Sequence, residues 1–392
     1  MHDVIVVGAG PVGSHISYRL AKLGHSVLVI EEHQQIGEPV QCSGIIGREC
    51  VDLYQIPKSA VLTKSQSAKF FSPSGKYIRL AKEQVQAYIV DRRAMDVEFA
   101  DRARSAGAEY RLTTKVDDVR IYCDGVHVKA INGSDAELYK AKVIVIASGF
   151  GSRLPYKLGL GRVADYIAGA QMEVETSGVD EVEVYFSQNT ALGFFGWLIP
   201  TGGNKGLAGL FSRITPRRYL SNFIKDLKAE GKITAEGKVV SGGIPLKTLP
   251  RTYTDKVLVV GDAAGQVKPT TGGGVYYGLI CADIATDVLH KALSVSDCSE
   301  NMLSLYEKGW KKRLGRDLKI GYLARWFYEK LSDHQIETMF RLLESKGIAG
   351  AMLNSDQMRF DWHSGLLLKG LQYIGPWRYF FSWNKDKSKA RV

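Results

Sequence analysis

The glycine pattern Gly8-x-Gly10-x-x-Gly13 constrains the fold of this chain more than any other feature of its sequence. It follows the apolar run DVIVV and opens the segment PVGSHISYRLAKLG, whose apolar residues recur at helical spacing; SVLVIEE then reads as a second strand. The first glycine permits a tight turn, the second lets the backbone approach a pyrophosphate, and the third lets the helix lie close to the strand. The sequence therefore predicts a βαβ dinucleotide-binding unit over residues 3–31, with the phosphates at the helix N-terminus.

Glu31 stands at the end of the second strand of this unit. A carboxylate at this place is the expected acceptor for the adenosine ribose hydroxyls, and its charge disfavours a 2′-phosphate. The pattern by itself suits NAD as well as FAD. The predicted cofactor contacts of this unit are Gly8, Gly10, Pro11, Val12, Gly13 and Glu31.

A second segment decides between the two cofactors. The run Gly261-Asp262-Ala263-Ala264-Gly265 follows an apolar strand, and PTTGGG then leads into a helix at Val275. An Asp at a strand end can accept hydrogen bonds from a ribityl chain, and a glycine turn before a helix can stabilise negative charge on the N1/O2 edge of a reduced flavin. Ribityl occurs only in flavins, so FAD is the predicted cofactor, with contacts at Asp262, Gly273, Gly274 and Val275.

Two further residues are predicted to contact the cofactor. Arg92 is a candidate cationic partner for its outer part, and a surface salt bridge is the alternative that spacing alone leaves open for this residue. Val116 is the second candidate.

The pattern of apolar residues divides the chain. Residues 91–107 are predicted to be helical, and AKVIVIASG, from Ala141, is predicted to be a further buried parallel strand. Alternating, turn-rich segments follow residue 164, and the βαβ pattern returns at Asp255. The predicted fold class is α/β+β, in which a Rossmann-like domain is interrupted by an inserted sheet. The sequence predicts a discontinuous FAD-binding domain over residues 1–163 and 251–300, with an excursion into the substrate domain near 55–85. An antiparallel-sheet substrate domain is predicted over residues 164–250, and a C-terminal helical subdomain over residues 301–392.

Composition excludes several classes of function. The net charge of +11 lies partly in the stretch 308–319, but no zinc finger or RNA-binding aromatic motif accompanies it, so no nucleic-acid partner is expected. The five scattered cysteines show no metal-ligand spacing, which indicates a reducing compartment and no metal site. With no signal peptide at its start and no span of ~18 apolar residues, the chain is expected in the cytoplasm.

The segment GLLLKGLQYIGPWRYFFSW, from Gly365, combines aromatic residues with flanking bases. This composition suits an interfacial segment on the inner face of a membrane, where aromatic rings lie at headgroup depth and cations meet anionic lipid. An ordinary C-terminal helix packed on the core is the alternative.

These motifs resemble the FAD oxidoreductases with the p-hydroxybenzoate hydroxylase fold and, within them, the geranylgeranyl reductase family. The resemblance rests on residues 36–44 (IGEPVQCSG), 70–80 (FFSPSGKYIRL), 195–200 (FGWLIP), the GDAAG run and 269–278 (PTTGGGVYYG). It implies an enzyme that uses reduced FAD to saturate isolated double bonds of a geranylgeranyl or polyprenyl chain in an isoprenoid lipid, prenyl diphosphate or quinone tail. It also implies an external electron donor, such as NAD(P)H or ferredoxin.

The family motif Y-x-W-x-F-P lines the substrate channel, and its counterparts here are Phe195, Trp197 and Pro200. Phe replaces Tyr at 195 and Ile replaces Phe at 199, so the motif is equally close to the W-x-W-x-I-P of flavin-dependent halogenases. Ala147-Ser148-Gly149 also stands where the class has Ala-Asp-Gly. A flavin-dependent monooxygenase or halogenase, with Lys64 or Lys69 as the catalytic lysine of a halogenase, is therefore the alternative hypothesis. A flavin-dependent redox sensor is a third hypothesis.

The resemblance places Cys42 beside the flavin isoalloxazine and makes it the predicted catalytic residue as well as a cofactor contact. Hydride delivery to an unactivated alkene must be matched by proton delivery to the other carbon, and a nearby thiol could tune or gate that step. A small buried packing residue is the alternative.

Overall fold

The structure is a computed structural model that describes residues 1–345, 360–362 and 364–365. The strands of this part of the chain are β1 His2–Val7, β2 Val27–Ile30, β3 Ile45–Gly47, β4 Val61–Ser65, β5 Ser67–Phe71, β6 Tyr77–Ala81, β7 Ala87–Val90, β8 Glu109–Arg111, β9 Lys115–Tyr122, β10 Gly125–Asn132, β11 Asp135–Ile146, β12 Tyr166–Thr176, β13 Val182–Tyr185, β14 Gly196–Gly202, β15 Lys205–Ser212, β16 Ile233–Pro245, β17 Tyr253–Thr254 and β18 Val257–Val259. Its α-helices are α1 Pro11–Lys22, α2 Arg48–Leu53, α3 Arg92–Ser105, α4 Leu154–Lys157, α5 Pro216–Ala229, α6 Val275–Ser294, α7 Glu300–Tyr328 and α8 Asp333–Ser345. Short 3-10 helices lie at Lys58–Ala60 and Gly261–Ala264.

The first sheet combines strands β1, β2 and β8 to β11 with β17 and β18, which follow the strands of the second sheet in sequence. Its order is β17-β18-β11-β1-β2-β8, with β10 and β9 added beside β11. β1 pairs in parallel with β2 and with β11, and β11 pairs in parallel with β18. Alternate residues of β1 enter different cores, Val4 on the helix side and Ile5 on the other, so the strand is apolar throughout. The predicted discontinuous Rossmann-like fold is confirmed.

Helices cover one face of this sheet. α1 begins at Pro11, where a proline costs no hydrogen bond, and buries Ile16 and Leu20. α3 is capped by the Asp91 side chain, which accepts from the backbone N–H of Ala94 at 3.1 Å, so the helix begins one residue after the predicted start. α6 packs against α1 and α7.

The second sheet has the order β16-β12-β15-β14-β13-β5-β6. β5 and β6 come from the segment in which a substrate-domain excursion is predicted. β13 and β5 pair in parallel and the other neighbours are antiparallel. α5 is a helix that the alternating pattern did not predict, although its buried residues recur at helical spacing: Leu220, Phe223, Ile224 and Leu227.

The long helix α7 joins the two sheets. Its first half packs Tyr306 and Trp310 into the core on the helix side of the first sheet. In its second half, Arg325 Nη1 donates to the Gly193 carbonyl at 2.6 Å, on the loop before β14. The predicted subdomain 301–392 therefore shares its packing with both sheets. Its boundaries remain a prediction, and the aromatic segment from Gly365 lies, beyond that first residue, outside the described residues.

We expect Gly13→Ala to destabilise the fold, whereas Gly10→Ala should not. A Cβ at Gly13 would lie 2.0 Å from the Gly8 carbonyl oxygen, while a Cβ at Gly10 would meet nothing within 4 Å. Overpacking of this kind costs about 1–3 kcal/mol in free energy of unfolding, and an unobstructed surface change costs less than about 0.5 kcal/mol. Urea unfolding of the two apoproteins measures the difference; equal midpoints would contradict the packing role of Gly13.

Candidate active site

One large cavity of about 1480 Å³ is lined by residues of the first and second sheets and of a small third sheet, β3-β7-β4. Small-molecule sites usually have volumes of about 300–1000 Å³, so this one has room for a dinucleotide and a second molecule. Fourteen of the predicted site residues line it: Gly8, Gly10, Pro11, Val12, Glu31, Cys42, Arg92, Val116, Phe195, Trp197, Asp262, Gly273, Gly274 and Val275.

Two predicted site residues do not line the cavity. Gly13 lies beneath the turn, where its missing side chain lets α1 approach Gly8. Pro200 lies near the far end of β14, and its carbonyl accepts from Thr63 Oγ1 at 3.2 Å. Phe195, directly before β14, and Trp197 on this strand reach the cavity, whereas Pro200 lies past it.

The turn after β1 forms one end of the cavity. Gly8 has a φ of +104°, and a Cβ there would lie 2.5 Å from the Ala147 carbonyl oxygen. The Ala9 N–H donates to Glu31 Oε2 at 2.8 Å, and Oε1 accepts from the backbone N–H of His33 at 3.0 Å. No side chain caps α1 at Gly10, so its first N–H groups are available to an anion. This end has the features that a pyrophosphate and an adenosine ribose require.

Asp262 lies in the 3-10 turn that follows β18. Its carboxylate makes no hydrogen bond to any residue that the structure describes, and a Cβ on Gly274 would lie 2.3 Å from its Oδ1. Burial raises the pKa of this carboxyl to about 6, although the Arg92 cation acts in the opposite direction. A partly buried carboxylate without donors needs them from a ligand, and ribityl hydroxyls are such donors.

The glycine loop before α6 forms the adjoining wall. Gly272 has a φ of +77°, and a Cβ there would lie 2.7 Å from Ile244 Cδ1 and 2.9 Å from Phe211. Gly274 is the N-cap of α6 and offers no side-chain cap, which leaves the helix N-terminus available to the polar edge of a ring. With the Asp262 carboxylate and the turn after β1, these residues fit FAD.

Cys42 lies beside a buried cation. Arg92 donates to Asp96 through two nitrogens, Nε at 3.1 Å and Nη2 at 3.0 Å. Burial opposes the charged form of Arg92, but Asp96 and Cys42 outweigh that effect, so the pKa of Arg92 is raised. The Arg92 side chain is only 14% exposed, so its ion pair with Asp96 lies at the cavity and not on the protein surface.

Aromatic side chains form the half of the cavity that faces the second sheet. The ring centroids of Phe194 and Phe195 are 4.6 Å apart, and those of Trp197 and Phe211 are 5.1 Å apart. A Cβ at Gly209 on β15 would lie 2.5 Å from the Trp197 ring, so the glycine makes room for the indole. This wall suits an apolar chain, since burial of apolar surface is its main source of affinity.

The structure also brings residues to the cavity that the sequence did not single out. Lys268 Nζ lies 2.5 Å from Asp361 Oδ1, and both side chains are less than a tenth exposed. Lys268 directly precedes the PTTGGG segment, so its position in the sequence could have indicated a place at the site. No local sequence pattern connects Asp361 to the site. Arg325 and Tyr328 of α7 line the apolar half.

Neither lysine proposed for a halogenase lines the cavity. Lys69 pairs with Asp180 and Glu181 at 3.5 and 3.6 Å, and Lys64 lies on β4. Ser148, which stands where the class has Asp, does line it, and its hydroxyl has no hydrogen-bond partner among the described residues.

Three comparisons place this architecture among known proteins. The family model described as pyridine nucleotide-disulphide oxidoreductase matches residues 2–182. A digeranylgeranylglycerophospholipid reductase of Methanocaldococcus jannaschii is 34% identical over 360 residues, which cover 88% of this chain and 90% of that protein. The crystal structure of a geranylgeranyl bacteriochlorophyll reductase-like protein of Thermoplasma acidophilum superposes with a TM-score of 0.84 at 25% identity, over 94% of this chain and 95% of that one.

A flavin-dependent brominase superposes with a TM-score of 0.73 over the whole of both chains, but at 16% identity it shares the fold alone. The identity to the archaeal reductase is twice as high and extends over nearly the full length of both proteins. The chain therefore belongs to the geranylgeranyl reductase family of FAD-dependent oxidoreductases.

Proposed function

We propose that this protein saturates the isolated double bonds of geranylgeranyl chains carried by a membrane lipid, with FAD as its redox cofactor. The observation that supports the proposal is that a polar half and an apolar half meet in one cavity. Asp262 and the glycine loop form a polar half that fits a flavin, and the aromatic wall of β14 and β15 forms an apolar half that fits a prenyl chain. The name of the archaeal relative indicates a glycerophospholipid as the carrier.

Bound FAD supplies the hydride, and the residues of this chain bind, orient and protonate. Glu31 and Asp262 would hold FAD by accepting hydrogen bonds from its ribose and ribityl hydroxyls, and the uncapped N-termini of α1 and α6 would bind its anionic groups. Phe195 and Trp197 hold the chain and exclude water from the reacting carbons.

Cys42 is the residue that we assign to proton delivery. Its sulfur holds a proton that can pass to the alkene carbon that does not receive the hydride. The Arg92 guanidinium, held in place by Asp96, is the positive charge that balances the sulfur once its proton has left. Water can return the proton to the sulfur when the product leaves.

The electron donor and the location are further parts of the proposal. Since one glycine-rich turn of the dinucleotide type was found in the sequence, we propose that a donor such as NAD(P)H or ferredoxin binds transiently. We place the protein in the cytoplasm, peripherally on the inner face of the membrane. None of the helices that the structure describes is long and apolar enough to cross a bilayer.

The direct test is to reduce the purified holoenzyme without oxygen and then add a geranylgeranyl glycerophospholipid in detergent. We expect the lipid to reoxidise the flavin, seen as recovery of the yellow absorbance, and each saturated double bond to add the mass of two hydrogens to the lipid. Reoxidation by oxygen alone, with no change in lipid mass, would favour a monooxygenase or halogenase instead.

Cys42→Ala should retain FAD but lose alkene reduction by a factor on the order of 100 or more, as expected when a positioned proton donor is removed. Cys123→Ala is the matched control, because Cys123 is exposed and lies outside the cavity. Flavin absorbance measures retention of the cofactor, and single-turnover reoxidation by lipid measures the chemical step. Turnover of Cys42→Ala equal to that of the Cys123→Ala control would refute the assignment.

FAD affinity of the apoprotein should weaken as the pH falls through about 6, because hydroxyl donors favour the ionised Asp262 carboxylate and that carboxyl has a pKa of about 6. The loss approaches about tenfold per pH unit below the pKa. Asp262→Asn should bind FAD more weakly at neutral pH, with a flatter pH dependence. Fluorescence titration of the apoprotein with FAD measures both.

The stability of the apoprotein should respond to pH in the opposite direction. A carboxyl whose pKa is raised by folding contributes stability that is complete below pH 3.8 and is lost as the pH rises through about 6. Asp262→Asn apoprotein should therefore be more stable than wild type at neutral pH, by about 1 kcal/mol after allowance for partial exposure. Lower stability of the variant at neutral pH would show that the carboxylate has a structural partner.

A further inference from the structure

Helix α7 presents a continuous exposed face to the outside of the protein. Residues three or four positions apart on a helix share one face, and those that form this face are exposed from the first turns of α7 to the residues just after its end. We call this set the outer stripe: Leu305, Lys308, Lys312, Arg316, Lys319, Leu323, Trp326 and Lys330.

The outer stripe carries five positive charges and no acidic residue. None of its Lys or Arg side chains forms an ion pair with a residue that the structure describes. Glu307 of α7 accepts from Thr252 and pairs with Lys311, and Glu329, just after the helix, pairs with Arg213 and Arg325. Asp317, the neighbour of Arg316 in sequence, forms no ion pair with a described residue, and its Oδ1 is buried. Within the described part of the chain, no ion pair neutralises the positive charges of the stripe.

The second half of the stripe is also apolar. Leu323 is 54% exposed and Trp326 is 45% exposed, and the Lys330 ammonium lies 5.7 Å from the centre of the Trp326 ring. An exposed Trp and Leu flanked by bases is the composition of helices that lie in a membrane interface. An acidic protein would match the charges equally well, but the exposed leucine and tryptophan would then each need an apolar counterpart on that partner.

The opposite side of the same helix lines the cavity. Ala324, Arg325 and Tyr328 face the apolar half, so a single helix separates that half from the outer stripe. Contact of the stripe with a membrane would hold the prenyl-binding half of the cavity within one helix diameter of the lipid headgroups.

We propose that the outer stripe docks this protein on a membrane surface rich in anionic lipid, with its bases at the headgroups and Leu323 and Trp326 in the interface. The inference rests on the proposed function, in that a reductase of membrane lipids has to reach them. It concerns a surface different from the aromatic segment near the C-terminus.

Vesicle binding of the full-length holoenzyme tests the charged part of the stripe. The probe is cosedimentation with vesicles of phosphatidylcholine mixed with phosphatidylglycerol, and with vesicles of phosphatidylcholine alone. One basic residue near an anionic surface strengthens binding about fivefold. Reversal of two charges, Lys312→Glu with Arg316→Glu, should therefore weaken binding to the anionic vesicles by at least about 25-fold.

The matched control reverses two exposed lysines away from the stripe. Lys58→Glu with Lys140→Glu changes the net charge by the same amount as the stripe variant, Lys312→Glu with Arg316→Glu. Lys58 lies on the 3-10 helix that packs against α3, and Lys140 lies on β11. This control should lose much less binding than the stripe variant. Equal losses in the two variants would show that net charge alone drives binding, and unchanged binding of the stripe variant would also overturn the proposal.

A fluorescent label tests the apolar part. Leu323→Cys carrying an environment-sensitive dye, in a Cys123→Ser background that removes the exposed thiol, should be quenched by lipids that bear a spin label in the acyl chain. A protein partner cannot produce that quenching. No quenching on vesicles to which the protein binds would assign membrane contact to another surface and so overturn the proposal.

Activity in two lipid forms separates failure of this inference from failure of the proposed function. The stripe variant should reduce detergent-dispersed lipid as fast as wild type but vesicle-embedded lipid more slowly. If the wild-type protein reduces neither form of the lipid, the proposed function is contradicted. The vesicle-binding and quenching measurements then decide whether the stripe contacts the membrane. Equal rates of both proteins on vesicles count against the stripe alone.

Discussion

The parallel register of β1, β2, β11 and β18 is the constraint on which the rest of the site depends. Val7 pairs with Ile30 and with Ile146, and Ile146 pairs with Val259, so the four strands end along one edge of the sheet. Binding groups of α/β folds come from the residues that follow such ends. Here those residues are Gly8, Glu31, Ala147 and, one position beyond the strand, Gly261 with Asp262.

Tight backbone contacts then determine how close these groups can come to a ligand. Gly8 approaches Ala147 and Gly13 approaches Gly8, at distances that exclude any side chain, so α1 starts directly behind the turn. The same principle operates at Gly274, where a side chain would displace the Asp262 carboxylate. The glycines thus leave the helix N-termini and the acidic groups open to a ligand.

Much of the fold and of the polar half of the site was predictable, because each part is encoded locally. A glycine turn, the strand before it and the helix after it are consecutive in sequence, and both dinucleotide segments have this form. The family resemblance added the aromatic residues Phe195 and Trp197 to the predicted site. Helix α5 was missed although Leu220, Phe223, Ile224 and Leu227 recur at helical spacing, since the surrounding alternation suggested strands.

Contacts between distant segments could not be predicted. Asp361 meets Lys268 across 93 residues, and no local pattern signals that pair. Arg92 and Asp96 are four residues apart on one helix, which is the spacing of an ordinary surface ion pair. Only the packing of α3 against the rest of the domain shows that the pair is buried beside Cys42. Pro200 belongs to the family motif, yet the strand takes it beyond the cavity wall.

Helix α7 shows how one element can link these distant parts. Its first half is held in the core of the dinucleotide domain by Tyr306 and Trp310, and Trp310 Nε1 donates to Thr252 Oγ1 at 2.9 Å just before β17. Its second half is held against the inserted sheet by the Tyr322 hydroxyl, which donates to Asp165 Oδ2 at 2.9 Å, and, just after its end, by the ion pair of Glu329 with Arg213. Because a helix is stiff along its axis, anchoring at both ends fixes the distance between the cofactor-binding edge and the apolar wall. A reaction that transfers hydride between a cofactor and a chain on different sheets requires that distance to be constant, since near-attack geometry tolerates errors of well under about 1 Å.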